Sequence, residues 1–269
     1  MKTITGAIAL LLLSSVSSHS SAEGNELESL LSLPLAELLN VEVSIAASKP
    51  ETVLETPAIV SRYNRIDMEK MGVSNLREMF NFIPGVIVQD SITGFASVQI
   101  RGIDETFNQK VLFLLNGIPY HQPSHSIIPM EGVPWEAISH VEVIRGPGAV
   151  FYGTQASGGV FNVITRTDSD RNSASLKAGT HKLKEGSVYY GSKLSNDSQI
   201  YIAAEYRNED GYDATYNELF PDVGLVTDEV TRYLNRESVL LGYTKKEFNF
   251  FLQAFSDETV GINDAYTDV

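Results

Sequence analysis

The sequence predicts an α+β domain followed by antiparallel transmembrane β-barrel strands, which form only an incomplete barrel within this chain. Three observations support this fold class. A secretory leader opens the chain of 269 residues, a compact pattern of short helices and strands fills its centre, and five segments of alternating apolar and polar residues follow. The formal net charge of −14 argues against a nucleic-acid partner, because phosphate binding requires a basic surface.

Residues 1–22 have the composition of a secretory signal peptide. Lys2 supplies the positive start, Ile8–Leu13 an apolar run, and Ser20–Ala22 a cleavage pattern of small residues. The apolar run is too short to cross a membrane as a helix. We therefore expect cleavage near Ala22 and export into a bacterial envelope. The absence of cysteine excludes a disulfide scaffold.

Residues 23–52 are predicted to form an N-terminal extension. Leucines recur there at helical spacing on both sides of Pro34, which predicts two short amphipathic turns. The stretch from Val41 to Ala58, "VEVSIAASKPETVLETPA", mixes polar and apolar residues and contains two prolines. Such a composition is typical of a mobile tether between structured parts.

Between Arg62 and Thr167 the sequence predicts a compact α+β domain. Ser74 is the predicted N-cap of a helix whose apolar stripe ends before Pro84. The stripe consists of Leu76, Met79, Phe80 and Ile83. Five strands follow: Val86–Gln89, Val98–Arg101, Val111–Leu115, Val141–Arg145 and Val160–Thr165. Asn116-Gly117 predicts a tight turn after the third of these strands.

A glycine-rich stretch, "HVEVIRGPGAVFYGTQASGGVFNVITR", lies within this domain at His140–Arg166. Gly148 and Gly153 have the spacing of a phosphate-binding P-loop, but Thr154-Gln155 follows where that motif needs lysine and Ser or Thr. No helical pattern follows, as a dinucleotide-binding loop would require. The glycines are therefore predicted to serve tight bends between strands.

After Thr167 the hydrophobic pattern changes to a period of two, with one apolar and one mixed face. The five segments are Ala174–Ala178, Val188–Leu194, Ile200–Tyr206, Val239–Tyr243 and Phe248–Ala254. Their connections alternate in length: Thr180–Glu185 is intermediate, Ser195–Ser198 short, Asn208–Asn235 long and Lys245–Glu247 short. Transmembrane barrels alternate short periplasmic turns with longer outer loops, whereas a soluble sandwich, the alternative, has no reason to do so.

Four motifs resemble those of the TonB-dependent outer-membrane receptors. They are "NLREMFNFIPGVIVQ", "VQIRGID", "VLFLLNGIPY" and "WEAISHVEVIRGPGAVFYGTQASGGVFNVITR". The resemblance covers Val53–Thr167 and implies a plug domain over 53–167, followed by the first barrel strands over 168–269. The resemblance also places a TonB box at 41–47, within the extension. The residues of this box that are expected to bind TonB are Val41, Glu42, Val43, Ser44 and Ile45.

The resemblance implies active import of a scarce small molecule across the outer membrane. By this resemblance, the plug is expected to fill the lumen of a barrel of 22 strands, as in other plugged outer-membrane transporters. TonB captures the extended box by strand addition, which uses backbone hydrogen bonds. Arg101 and Arg145 are expected to pair with barrel carboxylates, and the glycines to let the backbone approach the barrel wall. The other partners implied are outer-membrane lipid and the ligand.

Plug loops at the outer end are expected to contact the ligand. By position they are Ser91–Ser97 and Tyr120–Gly132. The candidate ligand-binding residues are Phe95, Tyr120, His121, Gln122, His125 and Met130. Imidazole and thioether groups suit haem or a metal chelate, and the aromatic rings suit a siderophore. The sequence leaves siderophore, haem, cobalamin and oligosaccharide open, and it predicts neither a resident metal nor a cofactor.

Five strands do not close a barrel, since single-chain barrels begin at about eight strands. We therefore expect this chain to be part of a longer receptor. The alternative function is a truncated plug-bearing envelope module that binds ligand or signals without forming a pore. An enzyme is disfavoured, because the sequence contains no Gly-x-Ser-x-Gly elbow, no His-Glu-x-x-His motif and no cysteine nucleophile.

Overall fold

The computed structural model describes residues 42–43, 51–52, 59–90, 96–103, 107–123, 126–145, 152–194, 197–211, 213–215, 229–231, 234–246 and 248–259. All of them belong to one compact unit, Glu42–Val269. This unit holds the predicted α+β domain and a five-stranded antiparallel sheet, which we call the meander. Before them, strand β1, Glu42–Val43, pairs antiparallel with β2, Glu51–Thr52.

The α+β domain is built on a mixed sheet. Its strands are β3 Ile59–Asn64, β4 Val86–Asp90, β5 Ala96–Ile100, β6 Val111–Leu115, β7 Ile118–Pro119, β8 Ile138–Arg145 and β9 Gly159–Thr165. The main sheet has the order β3-β8-β9-β6-β7, in which β6 and β9 are parallel and the other neighbours antiparallel. Strands β4 and β5 form a separate antiparallel pair.

Two short helices accompany the sheet: α1, Arg65–Lys70, and α2, Leu76–Asn81. The N-cap of α2 is Asn75, whose side chain accepts a hydrogen bond from the N–H of Glu78 at 2.9 Å. The prediction of Ser74 as the N-cap was therefore wrong by one residue. The Ser74 hydroxyl instead donates to the Glu78 carboxylate at 3.2 Å.

The core lies between the helices and one face of the main sheet. The predicted stripe of α2 is fully buried there, and the ring of Phe80 stacks on Phe161 with centroids 4.7 Å apart. Because strand residues alternate in direction, Phe113 and Val143 point into this core while Leu112 and Ile144 pack in a smaller cluster on the opposite face.

The predicted strands of this domain are present, with shifts at their ends. Strand β5 ends at Ile100, so Arg101 lies outside it with a φ of 54°. The turn at Asn116-Gly117 was predicted correctly: both residues have positive φ, as a tight hairpin turn requires. Strand β3 and helix α1 were not predicted.

The meander consists of the five strands expected from the period-two pattern. They are β10 Ser173–Ala178, β11 Lys184–Lys193, β12 Ser198–Glu209, β15 Leu234–Lys245 and β16 Phe248–Thr259. Each pairs antiparallel with the next in the order β10-β11-β12-β15-β16. Within the long connection, β13 Asp213–Thr215 and β14 Glu229–Thr231 form a short hairpin.

The two faces of the meander differ in the way that the sequence predicted. On β12, Ile200 and Ile202 are exposed, whereas Tyr201 and Ala203 are buried toward the α+β domain. The exposed face is thus the apolar one, as in strands that contact lipid. Within the described part of the chain, no helix has the length and apolar character needed to cross a membrane.

Candidate functional site

One short segment of the α+β domain, Met130–Ala137, contacts all five strands of the meander, and we call it the contact segment. It comprises two 3-10 turns, Met130–Gly132 and Trp135–Ala137. Both turns are largely buried. Their side chains and backbone reach β15 and β16 from the first turn, and β10, β11 and β12 from the second.

Glu131 links helix α2 to the meander through two arginines. Its Oε1 lies 2.9 Å from Nη2 of Arg77 on α2 and 3.6 Å from Nη2 of Arg236 on β15. Arg236 in turn pairs with Asp257 on β16 at 2.8 Å. The Glu131 side chain is only 11% exposed, so its charge needs partners, and one arginine on each side of the contact compensates it.

Gly132 meets β16 at close range. An added Cβ at this position would lie 2.6 Å from the Tyr120 hydroxyl and 2.9 Å from Cδ1 of Phe255. The amide of Gln253 donates both to the Tyr120 hydroxyl, at 2.8 Å, and to the Gly132 carbonyl. Burial raises the pKa of the Tyr120 hydroxyl well above its usual range, so it remains protonated.

The second turn carries the only tryptophan of the chain, Trp135. Its backbone N–H donates to Oε2 of Glu205 on β12 at 2.7 Å, and its ring lies 5.1 Å from the Arg65 guanidinium carbon. The next residue, Glu136, accepts from Arg65 at 2.9 Å and from the Ser173 hydroxyl on β10 at 2.7 Å. Helix α1, the turn and the first strand of the meander are therefore joined at one carboxylate.

An apolar cluster completes the contact. Ala137 packs with Tyr189, Tyr201, Ala203 and Leu240, which come from β11, β12 and β15. Beside them the guanidinium of Arg166 lies 4.1 Å from the centre of the Tyr189 ring. A cation stacked on an aromatic face adds electrostatic attraction to the packing.

Replacing Glu205 with Leu is expected to weaken the contact by about 1–3 kcal/mol, because the buried N–H of Trp135 would lose its acceptor. Glu205→Gln keeps an acceptor oxygen and is the matched control, with a smaller expected loss. Hydrogen exchange at Trp135 measures the effect. Equal exchange in the two variants would show that this bond contributes nothing to the contact.

The structure places the predicted ligand-binding residues in different environments. His121 is half-buried and Gln122 exposed, whereas Met130 is 1% exposed and belongs to the core. Met130 therefore does not present its thioether to a ligand in this structure, because the packing of the contact segment holds the side chain inside the domain. Tyr120 is half-buried and bonded to Gln253. Phe95 and His125 lie outside the described residues.

Among the residues that the structure describes, no ion pair joins Arg101 or Arg145 to a carboxylate. Arg145 donates to the Ser61 hydroxyl at 2.7 Å within the α+β domain. Arg101 is exposed, and its N–H donates to the carbonyl of Gly85. Their pairing with barrel carboxylates stays a prediction.

Of the predicted TonB box, Glu42 and Val43 form β1, and Val41, Ser44 and Ile45 lie outside the described residues. Glu42 pairs with Thr52 and Val43 with Glu51, so these two residues have an extended backbone. Their binding to TonB stays a prediction.

Two glycines of the glycine-rich stretch explain its composition. An added Cβ on Gly158 would lie 2.8 Å from the carbonyl oxygen of Lys110, and one on Gly159 would lie 2.7 Å from that of Ile144. The close approach is therefore to neighbouring backbone within the α+β domain. The approach of this stretch to a barrel wall stays a prediction, and Gly132 is a glycine that approaches the meander closely.

The contact segment itself was not predicted from the sequence. One feature of the sequence could have indicated it. Trp135, an aromatic residue of a type that is often buried, lies between two acidic residues, Glu131 and Glu136, in a stretch without strand or helix periodicity. Among the described residues, no group of three or more His, Cys, Asp or Glu side chains is placed to hold a metal ion. The bonds of the contact segment join the α+β domain to the meander.

Comparisons with known proteins agree with this architecture. The family model of the TonB-dependent receptor plug domain matches residues 52–160. The vitamin B12 transporter BtuB of Vibrio vulnificus is 29% identical over 253 residues, which cover 87% of this chain and 38% of that protein. BtuB of Vibrio cholerae is 29% identical over 192 residues, covering 70% of this chain and 30% of that protein.

A solved structure shares the fold at lower sequence identity. A mutant of the ferric enterobactin receptor PfeA from Pseudomonas aeruginosa superposes with a TM-score of 0.61 at 20% identity, covering 79% of this chain and 34% of that one. The chain thus spans well under two thirds of the relatives that it matches. TonB-dependent receptors are outer-membrane receptors and transporters rather than a class of enzymes. Residues 52–160 thus match the TonB-dependent receptor plug domain, and the antiparallel strands that follow them do not close a barrel, as in the N-terminal part of the receptors to which the chain is similar.

Proposed function

We propose that this chain is the plug-bearing part of a transporter that imports a small molecule across the outer membrane with energy supplied through TonB. The observation that carries the proposal is the contact segment. It holds the α+β domain against the mixed face of a sheet whose opposite, apolar face is exposed. This is the arrangement expected of a plug inside a lipid-embedded wall.

The proposal assigns a role to each part of the chain. Residues 1–22 direct export and are removed near Ala22, and residues 41–47 recruit TonB. Residues 53–167 form the plug, and residues 168–269 supply the first strands of the wall, with the long connection after β12 on the outer side. Ligand contacts from this chain come from the exposed loop that contains His121 and Gln122.

We propose cobalamin as the first ligand to test, followed by ferric siderophores and haem. Cobalamin comes first because the curated relatives, which match in sequence over most of this chain, are named vitamin B12 transporters. The siderophore receptors among the solved structures support the second class by fold alone.

The test uses cells that lack their own receptors for these ligands and express the receptor containing this chain. We expect uptake of radiolabelled cyanocobalamin or of radioactive iron as a siderophore complex, and we expect a protonophore to abolish it. Absence of uptake for every ligand, with the protein correctly placed in the outer membrane, would contradict the proposal.

The intact mass of the mature protein from outer membranes distinguishes the alternative. A mass well above that of residues 23–269 supports the transporter. A mass equal to that of residues 23–269 favours a plug-bearing module that binds ligand without a pore of its own, because five strands do not close a barrel.

A further inference from the structure

One glutamine of the meander holds both ends of an exposed loop of the α+β domain. The loop runs from Tyr120 to Gly132, and the Nε2 of Gln253 donates to the Tyr120 hydroxyl at 2.8 Å and to the Gly132 carbonyl. A primary amide has two N–H donors, and a carbonyl oxygen only accepts. Both donors of Gln253 are thereby used, and the orientation of its amide is fixed.

The loop is also closed on itself. The N–H of Gln122 donates to the carbonyl of Ile127 at 2.8 Å, and the N–H of Ser126 donates to the carbonyl of Gln122 at 2.9 Å. Ser126 adopts a φ of 52°, in the left-handed region that such a tight closure requires. These bonds link Gln122 to Ser126 and Ile127, but they do not fix the direction of the loop relative to the meander.

The α+β domain anchors both ends of the loop. At the ascending end, where the loop begins, the N–H of Tyr120 donates to the carbonyl of Phe113 at 2.9 Å, and the descending end, which leads into Gly132, is buried. Ile128 and Met130 are 2% and 1% exposed and belong to the core. At the ascending end, Tyr120 packs its ring against Phe113, with centroids 5.9 Å apart, and its hydroxyl reaches the meander. Between these ends His121 and Gln122 are accessible to solvent. The direction in which they face therefore depends on how the ends are held.

Gly132 is the position that makes the double contact sterically feasible. A Cβ there would collide with the Tyr120 hydroxyl and with the ring of Phe255, which lies on β16 two residues from Gln253. A side chain at residue 132 would thus separate the two ends that the glutamine joins. The glycine, the tyrosine and the glutamine form one unit, which we call the clasp.

We propose that Gln253 is a positioning residue, whose amide sets the orientation of the ligand-facing part of the loop before any ligand binds. The inference rests on the proposed function for the statement that this loop meets ligand. Preorganisation of a binding loop raises affinity by reducing the ordering that binding must accomplish. The clasp is therefore expected to act on affinity and not on the energised transport step.

The test compares Gln253→Leu with Gln199→Leu in the receptor that contains this chain. Both residues lie on the face of the meander that is turned toward the α+β domain, and Gln199 makes no described contact with the loop. Without ligand, hydrogen exchange over residues 121–129 is expected to rise about tenfold or more in Gln253→Leu, because two hydrogen bonds are lost. Exchange in the core strands β6 and β9 is expected to stay unchanged, and Gln199→Leu should match the parent throughout.

A second variant divides the clasp. Tyr120→Phe keeps the ring that packs on Phe113 and removes one of the two acceptors of Gln253, so an intermediate rise in loop exchange is expected. In uptake of radiolabelled cyanocobalamin, or of the siderophore complex that the receptor transports, Gln253→Leu should raise the half-saturation concentration about tenfold and leave the maximal rate unchanged.

Unchanged loop exchange in Gln253→Leu would overturn the inference, and so would a rise spread evenly over the α+β domain, which indicates general destabilisation. Raised loop exchange with an unchanged half-saturation concentration would also overturn it. If the receptor transports no ligand at all, the proposed function fails, and the exchange measured without ligand still decides whether Gln253 orders the loop.

Discussion

Deletion of Val41–Ala47 is expected to reduce energised uptake to background while binding of ligand at the cell surface remains intact. The residues removed lie before the α+β domain, and the contacts described above between this domain and the meander are made by other residues. Capture by TonB through strand addition needs an extended backbone with free N–H and C=O groups. Uptake and equilibrium binding of the transported ligand, measured on the same cells, check this expectation.

A single substitution makes the same prediction more specific. Val43→Pro removes one backbone N–H and restricts φ within β1, whereas Val43→Thr keeps the backbone and the β-branched shape. We expect the proline variant to behave like the deletion and the threonine variant to transport like the parent. Loss of binding together with uptake, or full uptake with proline, would show that the box lies elsewhere.

Replacing Glu136 with Ala is expected to loosen the α+β domain from the meander by about 2–4 kcal/mol. The carboxylate is buried and bonded by Arg65 and Ser173, so its removal leaves Nη2 of a largely buried guanidinium and a hydroxyl without their acceptor, while Nε and Nη1 of Arg65 keep theirs. Breaking a buried pair from one side costs more than the pair contributes, because the remaining charge stays desolvated. Hydrogen exchange over β8 and β10 measures the change.

The chain offers a matched control on the same arginine. Glu69 also pairs with Arg65, at 2.8 Å, but its side chain is 58% exposed and lies one helical turn away. Glu69→Ala is expected to cost no more than about 0.5 kcal/mol, as for exposed pairs on helices. The double variant Arg65→Met with Glu136→Ala should recover part of the loss. Similar losses for Glu69 and Glu136 would contradict the structural role given to the second turn.

Local patterns predicted most of the regular structure. The apolar stripe of α2 predicted which side chains of this helix face the core, and the alternation along β12 predicted which side chains share each face of this strand. Both predictions were confirmed. The N-cap error arose because Ser74 and Asn75 are adjacent cap-forming residues. The three-residue spacing from Asn75 to Glu78, which is the spacing of a capping box, identifies the second of them.

Other parts of the fold had little local signal. Helix α1 has only two apolar residues, Ile66 and Met68, and their spacing of two shows no helical period, although Asp67 accepts from the N–H of Asn64 as in a capping box. The partners of Glu131, Gln253 and Glu136 are distant in sequence, and a polar side chain does not reveal from its neighbours which distant group will satisfy it. These contacts depend on the packing of two sheets and become visible only in three dimensions.

The continuity of the contact segment has a consequence for biogenesis. The described meander residues that contact this segment all lie between Ser173 and Phe255. We therefore expect the domain to acquire its full set of attachments to these strands as soon as the fifth of them is paired.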